Sequence, residues 1–117
     1  MKFGLKSKIK EKEIENYALK ISIEFGKKFG QDIVPKLNAK FPNLSIDEIN
    51  SYKELVKNVE SDCWNSVDYK GPQIDINKLH EILEEKIFLK YYWINSNNRS
   101  RIKSIFSYYF WKDGILK

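Results

Sequence analysis

The stretch IFLKYYWINSNNRSRIKSIFSYYFW, residues Ile87–Trp111, decides the fold, because nine of the 17 aromatic residues of the chain lie within it. In its second half, apolar residues recur at the i, i+3, i+4, i+7 spacing of a buried helical stripe: Ile102, Ile105, Phe106 and Tyr109. The polar segment Asn95–Ser100 separates this half from the aromatic first half. The spacing therefore predicts a last helix that packs on the core along this stripe.

The opposite face of the predicted last helix is not the plain charged face that amphipathic helices usually turn to solvent. At 100° per residue it carries small hydroxyls and rings, with basic residues on its flanks: Ser100, Ser104, Ser107, Tyr108 and Trp111, flanked by Arg101 and Lys103. Rigid rings beside Arg and small polar groups are typical of binding surfaces. A helix sandwiched between two others would instead bury both faces, and aromatic residues are more often core than interface. The sequence leaves both interpretations open.

Length and cysteine content bound the class of protein. A chain of 117 residues fits one domain, and we expect a single helical domain over residues 1–117. At this length, folding buries about two-thirds of the surface of the extended chain, so the core needs no disulfide. The single cysteine, Cys63, lies on an apolar stripe and indicates a small core residue in a reducing compartment. With one cysteine and one histidine, His80, the chain lacks a zinc ligand set, and we expect neither a metal nor a cofactor.

The net charge of +5 is concentrated at the two ends of the chain. Eight Lys accompany four acidic residues in 1–30, and five basic residues accompany Asp113 alone in 96–117. This distribution permits contact with nucleic acid or a membrane surface without requiring it. No apolar run approaches the ~20 residues that span a bilayer, and no apolar segment follows the basic start. We therefore expect a cytoplasmic protein with no membrane partner.

The first helix is predicted to begin near Ser7–Glu11 and to end at about Phe29, before Gly30. It carries two apolar stripes on opposite sides, which indicate a helix contacted from two directions: Ile14, Tyr17, Ala18, Ile21, Phe25 and Phe29 on one side, and Leu19, Ile23, Gly26 and Gly30 on the other. A short second helix fits residues 33–40, because Pro35 is tolerated in a first turn.

The clearest helix start in the sequence is Ser45-Ile46-Asp47-Glu48, which is a capping box. Leu44 and Ile49 occupy the two positions of a hydrophobic staple around it. The apolar stripe of this third helix is Ile49, Tyr52, Val56, Val59, Cys63 and Val67. The pattern predicts a long helix that ends at Tyr69–Pro72.

The fourth helix is predicted to start at Ile76 after an Asp75 cap and to decay around residues 91–94. Its apolar positions are Ile76, Leu79, Leu83 and Ile87, supplemented by Ile82 and Leu89. Asn95 or Ser96 then caps the last helix, Asp113-Gly114 ends it, and residues 115–117 remain as a tail. The whole pattern predicts an all-α, single-domain bundle of four main helices plus one short helix.

Catalytic motifs are lacking from the sequence. It contains neither a glycine-rich phosphate loop nor an HExxH motif, and no cluster of acid, base and nucleophile is apparent. The adjacent carboxylates Glu84 and Glu85 project about 100° apart on a helix, so they do not converge on one substrate. We therefore expect a protein that is not an enzyme.

Nucleic-acid binding is one function that the composition allows. The segment NSNNRSRIK, residues Asn95–Lys103, begins a helix with groups suited to phosphate and base-edge contacts: Asn97, Asn98, Arg99, Arg101 and Lys103. A helix–turn–helix, however, has a short recognition helix after a tight turn, whereas this helix is long and aromatic. Binding through the basic start of the last helix is therefore the alternative to a protein partner.

In size, helical content and composition, the chain resembles the immunity proteins of bacterial polymorphic toxin and contact-dependent growth inhibition systems, with which it shares no motif. The resemblance implies a protein that binds one toxin domain and neutralises it by occluding its active site. For a basic partner, the complementary surface would be the acidic middle of the chain: Glu54, Asp62, Asp68, Glu81, Glu84 and Glu85. For an acidic partner it would be Arg99, Arg101 and Lys103.

Taken together, these features predict a non-enzymatic protein-binding module. Trp111, Tyr108 and Arg101 are expected at the centre of its binding surface, because they combine rings and a guanidinium on one helix. The full set of expected partner-binding residues is Trp111, Tyr108, Arg101, Arg99, Lys103, Ser104, Glu84 and Glu85.

Overall fold

A computed structural model of the chain describes residues 12–24 and 32–117. Its helices are α1 (Glu13–Ser22), α2 (Val34–Lys40), α3 (Ile46–Trp64), α4 (Ile76–Leu83) and α5 (Ser96–Lys112), and a π-helical segment, Glu84–Phe88, continues α4. The β pairing within the described ranges is a single parallel bridge between Ile74 and Leu116. The predicted all-α bundle of four main helices and one short helix is confirmed.

The start of α3 is the capping box that the sequence predicts. The Glu48 amide donates to the Ser45 Oγ at 3.1 Å, and the Ser45 amide donates to the Glu48 carboxylate at 2.8 Å. Two amides without helical partners are thereby satisfied, which fixes where the helix begins. At α4 and α5 the Asp75 and Asn95 side chains each accept one hydrogen bond, from the amides of Lys78 and Asn98, without a reciprocal bond.

Two helices end earlier than predicted. The first helix ends at Ser22, where Ile21, Ser22 and Ile23 form a run of lower helix propensity, so the end predicted at Phe29 is wrong. The predicted start at Ser7–Glu11 and the stripe residues Phe25, Gly26, Phe29 and Gly30 lie outside the described residues.

In α3, the Ser66 hydroxyl donates to the Cys63 carbonyl at 2.7 Å, and this local bond competes with another helical turn. The helix therefore ends at Trp64.

The π-helical segment Glu84–Phe88 replaces the regular helix that the sequence predicts. A π turn is wider than an α turn, so the residues after it leave the phase of the α4 stripe. Ile87, a predicted stripe residue, is buried together with Phe88, whereas Leu89, predicted as an apolar supplement, is exposed. The expectation that Ile76 belongs to the buried stripe is also wrong, because its side chain is half exposed.

The last three residues pack on the domain, contrary to the predicted tail. Gly114, with a φ of 82°, ends α5 and turns the chain back. The Ile74 amide then donates to the Ile115 carbonyl at 3.1 Å, and the Lys117 amide donates to the Ile74 carbonyl at 3.0 Å. Leu116 is buried as a result. The C-terminal end is thus fixed beside the start of α4.

A contiguous core contains buried apolar side chains from all five helices: Ala18, Leu37, Val56, Leu79 and Phe106, among others. Trp64 packs edge-on against the rings of Phe106 and Phe110, with centroids 4.9 and 5.5 Å apart. Cys63, predicted as a core residue, is buried in the same cluster. The core therefore covers one face of α5 and fixes which of its residues reach solvent.

Candidate binding surfaces

Helix α5 buries one face and exposes the other. Its buried side chains include three of the four predicted stripe residues, Ile102, Ile105 and Phe106, together with Phe110. On the opposite face, Tyr108 is 43% exposed and Trp111 is 60% exposed. The interpretation in which both faces of this helix are buried is therefore wrong. A surface of exposed rings and serines is present, as the other interpretation requires.

Tyr108 and Trp111 line an open groove that we call the aromatic groove. Their ring centroids lie 6.4 Å apart, and the groove encloses about 540 Å³. Ile76, at the first position of α4, and Leu116, from the C-terminal segment, add apolar surface, while the rim is polar: Asp75, Ser107 and Lys117. Ile76 is 49% exposed. Three large apolar side chains from two helices are thus presented to solvent at one place.

Arg101 lies apart from the aromatic groove. It was expected at the centre of one surface with Tyr108 and Trp111, but its side chain lines concavities on the side of α1. Ser104 lines one of these, next to Ile23 and Arg101. The described structure therefore divides the expected site into two neighbouring regions of α5.

A second concavity, which we call the basic cleft, lies between α1 and the start of α5 and encloses about 470 Å³. Among the described residues, its charged lining consists of three cations and one carboxylate: Lys12, Lys20, Arg101 and Glu13. Two half-buried rings, Tyr17 and Trp93, and four amide side chains complete its wall: Asn16, Asn95, Asn97 and Asn98. The cleft thus combines cations and amides, the groups on which the nucleic-acid hypothesis rested, with two rings that this hypothesis did not include.

A network of asparagines builds the floor of the basic cleft. The Asn98 side-chain amide donates to the backbone carbonyl of Asn16 at 2.9 Å and to its side-chain oxygen at 3.0 Å. Asn16 in turn accepts from the Asn95 amide at 2.9 Å and donates to the Trp93 carbonyl at 3.0 Å. Asn98 is 1% exposed, so these bonds replace contacts with water. The network therefore joins α1 to the loop and helix start that follow Tyr91.

Asn98 and Arg99 were expected to face a partner, but the protein itself occupies their polar groups. Besides the buried Asn98, the Arg99 guanidinium donates to the carbonyls of Ile94 and Tyr92, at 2.7 and 3.0 Å. It also lies 5.2 Å from the centroid of the Phe88 ring. Arg99 thus closes the turn that enters α5. Its role toward a partner stays a prediction.

Lys103 and Glu84 pair with each other on another side of α5. The Lys103 ammonium donates to the Glu84 carboxylate at 2.8 Å and lies 5.9 Å from the Phe88 ring centroid. Glu85 is exposed. These two carboxylates and Lys103 therefore belong to neither the basic cleft nor the aromatic groove, and their expected contacts with a partner stay predictions.

Several carboxylates of the predicted acidic surface are paired within the chain. Asp62 accepts from the Lys90 ammonium at 2.7 Å and from the Tyr91 hydroxyl at 2.5 Å. These two hydrogen bonds lower the pKa of Asp62. Glu81 pairs with Lys78 at 3.0 Å. This pairing reduces the negative potential that the acidic middle could offer to a basic partner.

Burial shifts the pKa values of Cys63 and His80, the single cysteine and the single histidine of the chain. It is the main cause that raises the pKa of the Cys63 thiol, which keeps that thiol protonated. Burial, with a smaller effect of Lys103, lowers the pKa of His80, whose Nε2 lies 3.3 Å from the Ser107 Oγ. The part of the chain that the structure describes contains no cluster of three or more His, Cys, Asp or Glu side chains suited to a metal ion.

Glu60 is a perturbed carboxyl that sequence analysis did not single out. Burial raises its pKa to about 7, against a smaller opposing effect of Lys57. One of its oxygens, Oε2, is buried without a hydrogen-bond partner in the described structure. It lines a cavity of about 260 Å³ with Ser22 and Ile33, among others. A glutamate on a helix gives no sequence signal of this kind, because the burial comes from α1 and the residues before α2.

None of the described helices is both long enough and apolar enough to cross a membrane. In comparisons with known proteins, no family model matches the chain, and no curated protein or solved structure is significantly similar to it.

Proposed function

We propose that this protein is a non-enzymatic protein-binding module whose partner docks on the aromatic groove. The observation that carries the proposal is the exposure of Ile76, Tyr108 and Trp111 around one concavity. Large rings that remain in solvent cost free energy in a monomer, and such patches usually mark interaction sites. Trp and Tyr are also the residues most often found at the energetic centre of protein interfaces.

The surroundings of the groove favour a partner that offers an apolar anchor. Asp75 and Lys117 place one charge of each sign on the rim, and Lys78 and Glu81 pair with each other nearby. The region therefore has little net charge to select a strongly basic or acidic surface. A partner with one projecting apolar side chain and a polar ring around it fits this arrangement.

Neutralisation of a toxin or effector domain by occlusion is the biological role that we propose for this binding. Its support is the resemblance to immunity proteins in size, helical content and composition, together with an exposed surface on a rigid helix. Occlusion needs a partner surface held in one orientation, and α5 is fixed by its buried face and by the Asn95 cap.

The test begins with the identification of a partner by photo-crosslinking in cells from position 117 on the rim of the groove, which leaves Trp111 in place. Reconstitution with the purified partner follows. Calorimetric titration should show that Trp111→Ala and Tyr108→Ala each weaken binding about tenfold or more, as hot-spot rings do. Tyr92→Ala is the matched control, because Tyr92 is 75% exposed and lies outside the aromatic groove. Equal losses for Tyr92→Ala and Trp111→Ala would contradict the proposal.

Two further measurements separate this function from other uses of the groove. If the wild-type protein at ~100 µM sediments as a dimer and Trp111→Ala is a monomer, a second copy occupies the groove and the proposal fails. If the reconstituted partner is toxic when produced alone, wild-type protein should restore growth and Trp111→Ala should not. Rescue by both proteins would contradict occlusion through this surface.

A further inference from the structure

The basic cleft is distinct from the aromatic groove, since none of the residues that the structure describes lines both. Its described cations come from two parts of the chain that are far apart in sequence: Lys12 and Lys20 from the N-cap and body of α1, and Arg101 from α5. Lys12 lies 3.8 Å from Glu15, a distance at the limit of an ion pair. Among the described lining residues Glu13 is the one carboxylate, so these residues carry an excess of positive charge that suits phosphate groups.

The rings of the cleft are held in fixed positions. Tyr17 packs edge-on against Phe41, with centroids 5.6 Å apart, and Trp93 packs edge-on against Tyr91 at 6.3 Å. Both rings are half buried and line the cleft, so part of each remains accessible. Bases of single strands stack on such rings, whereas bases within a duplex are already stacked on each other. The cleft therefore suits an unpaired base better than a duplex.

The asparagine network holds the polar groups of the cleft in place. Asn98 accepts from the Arg101 guanidinium at 3.3 Å, and Asn16 fixes the backbone at Trp93 and Asn95. Arg101 is thus oriented by a buried residue while its side chain stays exposed. The exposed amide of Asn97 adds a donor and an acceptor for base edges at the same end. A site with its groups already positioned loses less entropy on binding.

A second concavity adjoins the basic cleft and lengthens it. The 470 Å³ of the basic cleft lies within the range of about 300–1,000 Å³ that small-molecule sites occupy. A neighbouring concavity of about 350 Å³ shares Tyr17, Lys20 and Arg101 with it and extends toward Lys36. Glu24 also lines this extension and pairs with Lys36 at 3.4 Å, so the cations that continue along it are Lys20 and Arg101. Two adjoining concavities that share these cations suit a chain of nucleotides more than a single one.

From these observations we propose that the basic cleft binds single-stranded nucleic acid. Phosphates contact Lys12, Lys20 and Arg101, and an unpaired base contacts the rings of Tyr17 and Trp93. Lys103 takes no part, because it pairs with Glu84 outside the cleft. The site therefore differs from the continuous basic surface Asn97–Lys103 that the sequence alone indicates.

The probe is a fluorescein-labelled 12-nucleotide RNA of adenine and cytosine, which cannot pair with itself, and the readout is fluorescence anisotropy with the full chain. We expect micromolar binding at ~50 mM salt that weakens steeply at ~200 mM salt. Lys20→Gln and Arg101→Gln should each weaken binding and reduce the slope of log K against log salt by about 1. Lack of binding at ~50 mM salt with up to ~100 µM protein would overturn the proposal.

Two controls separate the cleft from general electrostatic attraction. Lys112→Gln removes the same charge from the same helix outside the cleft, so it should change binding less than about twofold. Arg101→Lys keeps the charge and should retain more affinity than Arg101→Gln. Equal losses for Lys112→Gln and Arg101→Gln would overturn the proposal, because the attraction would then be non-specific.

A competition experiment decides between nucleic acid and an acidic protein segment. A 12-residue polyglutamate peptide carries a similar negative charge without bases, so it should displace the RNA much less well than unlabelled RNA does. Equal displacement by the two competitors would overturn the proposal in favour of an acidic peptide. Melting curves of Lys20→Gln and Arg101→Gln should match the wild type, since both side chains are exposed.

Discussion

The two ends of α5 hold the same helix in different ways. At its start, hydrogen bonds between Asn16 and Asn98 join it to α1, and Asn98 is among the few buried polar side chains of the described residues. At its end, Phe110 packs on Trp64 and no comparable amide pair is present within the described structure. The exposed face differs accordingly, with Arg101 beside the basic cleft and Trp111 beside the aromatic groove.

This difference shows that the neighbours of a helix, and not its own periodicity, decide what its exposed face can bind. Tyr108 follows Arg101 by seven residues, which is two turns on nearly the same face of the helix. Near Arg101, α1 supplies Lys20 and Tyr17, whereas near Tyr108 the start of α4 and the C-terminal segment supply Ile76 and Leu116. One face therefore contributes to two surfaces of different chemistry.

The largest expected effect tests the end of α5, where a buried ring and an exposed ring are adjacent. Phe110→Ala should cost about 3–5 kcal/mol of unfolding free energy, because it empties a site between Trp64 and Phe106. Trp111→Ala should cost less than about 0.5 kcal/mol, because its ring is mostly in solvent. Urea denaturation of both variants measures the difference. Comparable losses would show that Trp111 belongs to the core and that the aromatic groove is not free to bind.

The second prediction tests the start of α5. Asn98→Ala removes the side-chain amide that donates to both oxygens of Asn16 at a part-buried position, so it should cost about 1–3 kcal/mol of unfolding free energy. Asn16→Ala should cost a similar amount, and the double variant should cost clearly less than the sum, because both changes break the same bonds. Additive losses would mean that the two amides do not act as one network.

The sequence predicted the features of α5 that depend on neighbours along the chain. Three of the four stripe residues, one of the two candidate caps, Asn95, and the stop at Asp113-Gly114 follow from spacing and side-chain chemistry within a few residues. The burial of Asn98 could not be predicted, because its partner lies 82 residues away. An asparagine in the first turn of a helix usually faces water. Asn98 is buried because α1 packs against this turn, and the local sequence does not show that contact.

The sequence identified several residues of the candidate surfaces, but it could not predict which of them lie together on one surface. Tyr108 and Trp111 were identified from the exposed face of one helix. Ile76 was assigned to the core because it lies three residues before Leu79, at the spacing of the apolar stripe of α4, but its side chain is half exposed. The π-helical segment also had no signal, since its wider turn depends on how Ile87 and Phe88 reach the core. Long-range packing therefore decided both the members of each surface and their separation.

The third prediction concerns the pH dependence of stability that Glu60, on α3, should cause. In the folded protein, burial holds the Glu60 pKa at about 7, above its ordinary value of 4.5. The folded state then binds more protons between these values, so this group's contribution to stability is complete below pH 4.5 and is lost as pH rises through 7.

Glu60→Gln replaces the carboxyl by a neutral side chain of the same shape. At pH 8 the variant should be more stable than the wild type by about 1–3 kcal/mol, and the difference should vanish near pH 4.5. Glu54→Gln, on the exposed face of the same helix, is the control and should show no such trend. A difference that stays constant across this pH range would contradict the buried carboxyl as its cause.

The smallest expected effect comes from the helix caps, and the test compares Asn95 at the start of α5 with Ser45 at the start of α3. Ser45 and Asn95 each accept from the amide three residues on, at 3.1 and 2.9 Å, so Ser45→Ala and Asn95→Ala should each cost about 1 kcal/mol. Only Asn95 adjoins the network that positions Arg101, so Asn95→Ala should also weaken RNA binding while Ser45→Ala should not. Denaturation and RNA titration of both variants separate these effects. Since the stability losses match, a binding loss confined to Asn95→Ala would show that the start of α5 contributes to the cleft, through the cap or through the Asn95 side chain in its wall. Equal binding by both variants would contradict that contribution.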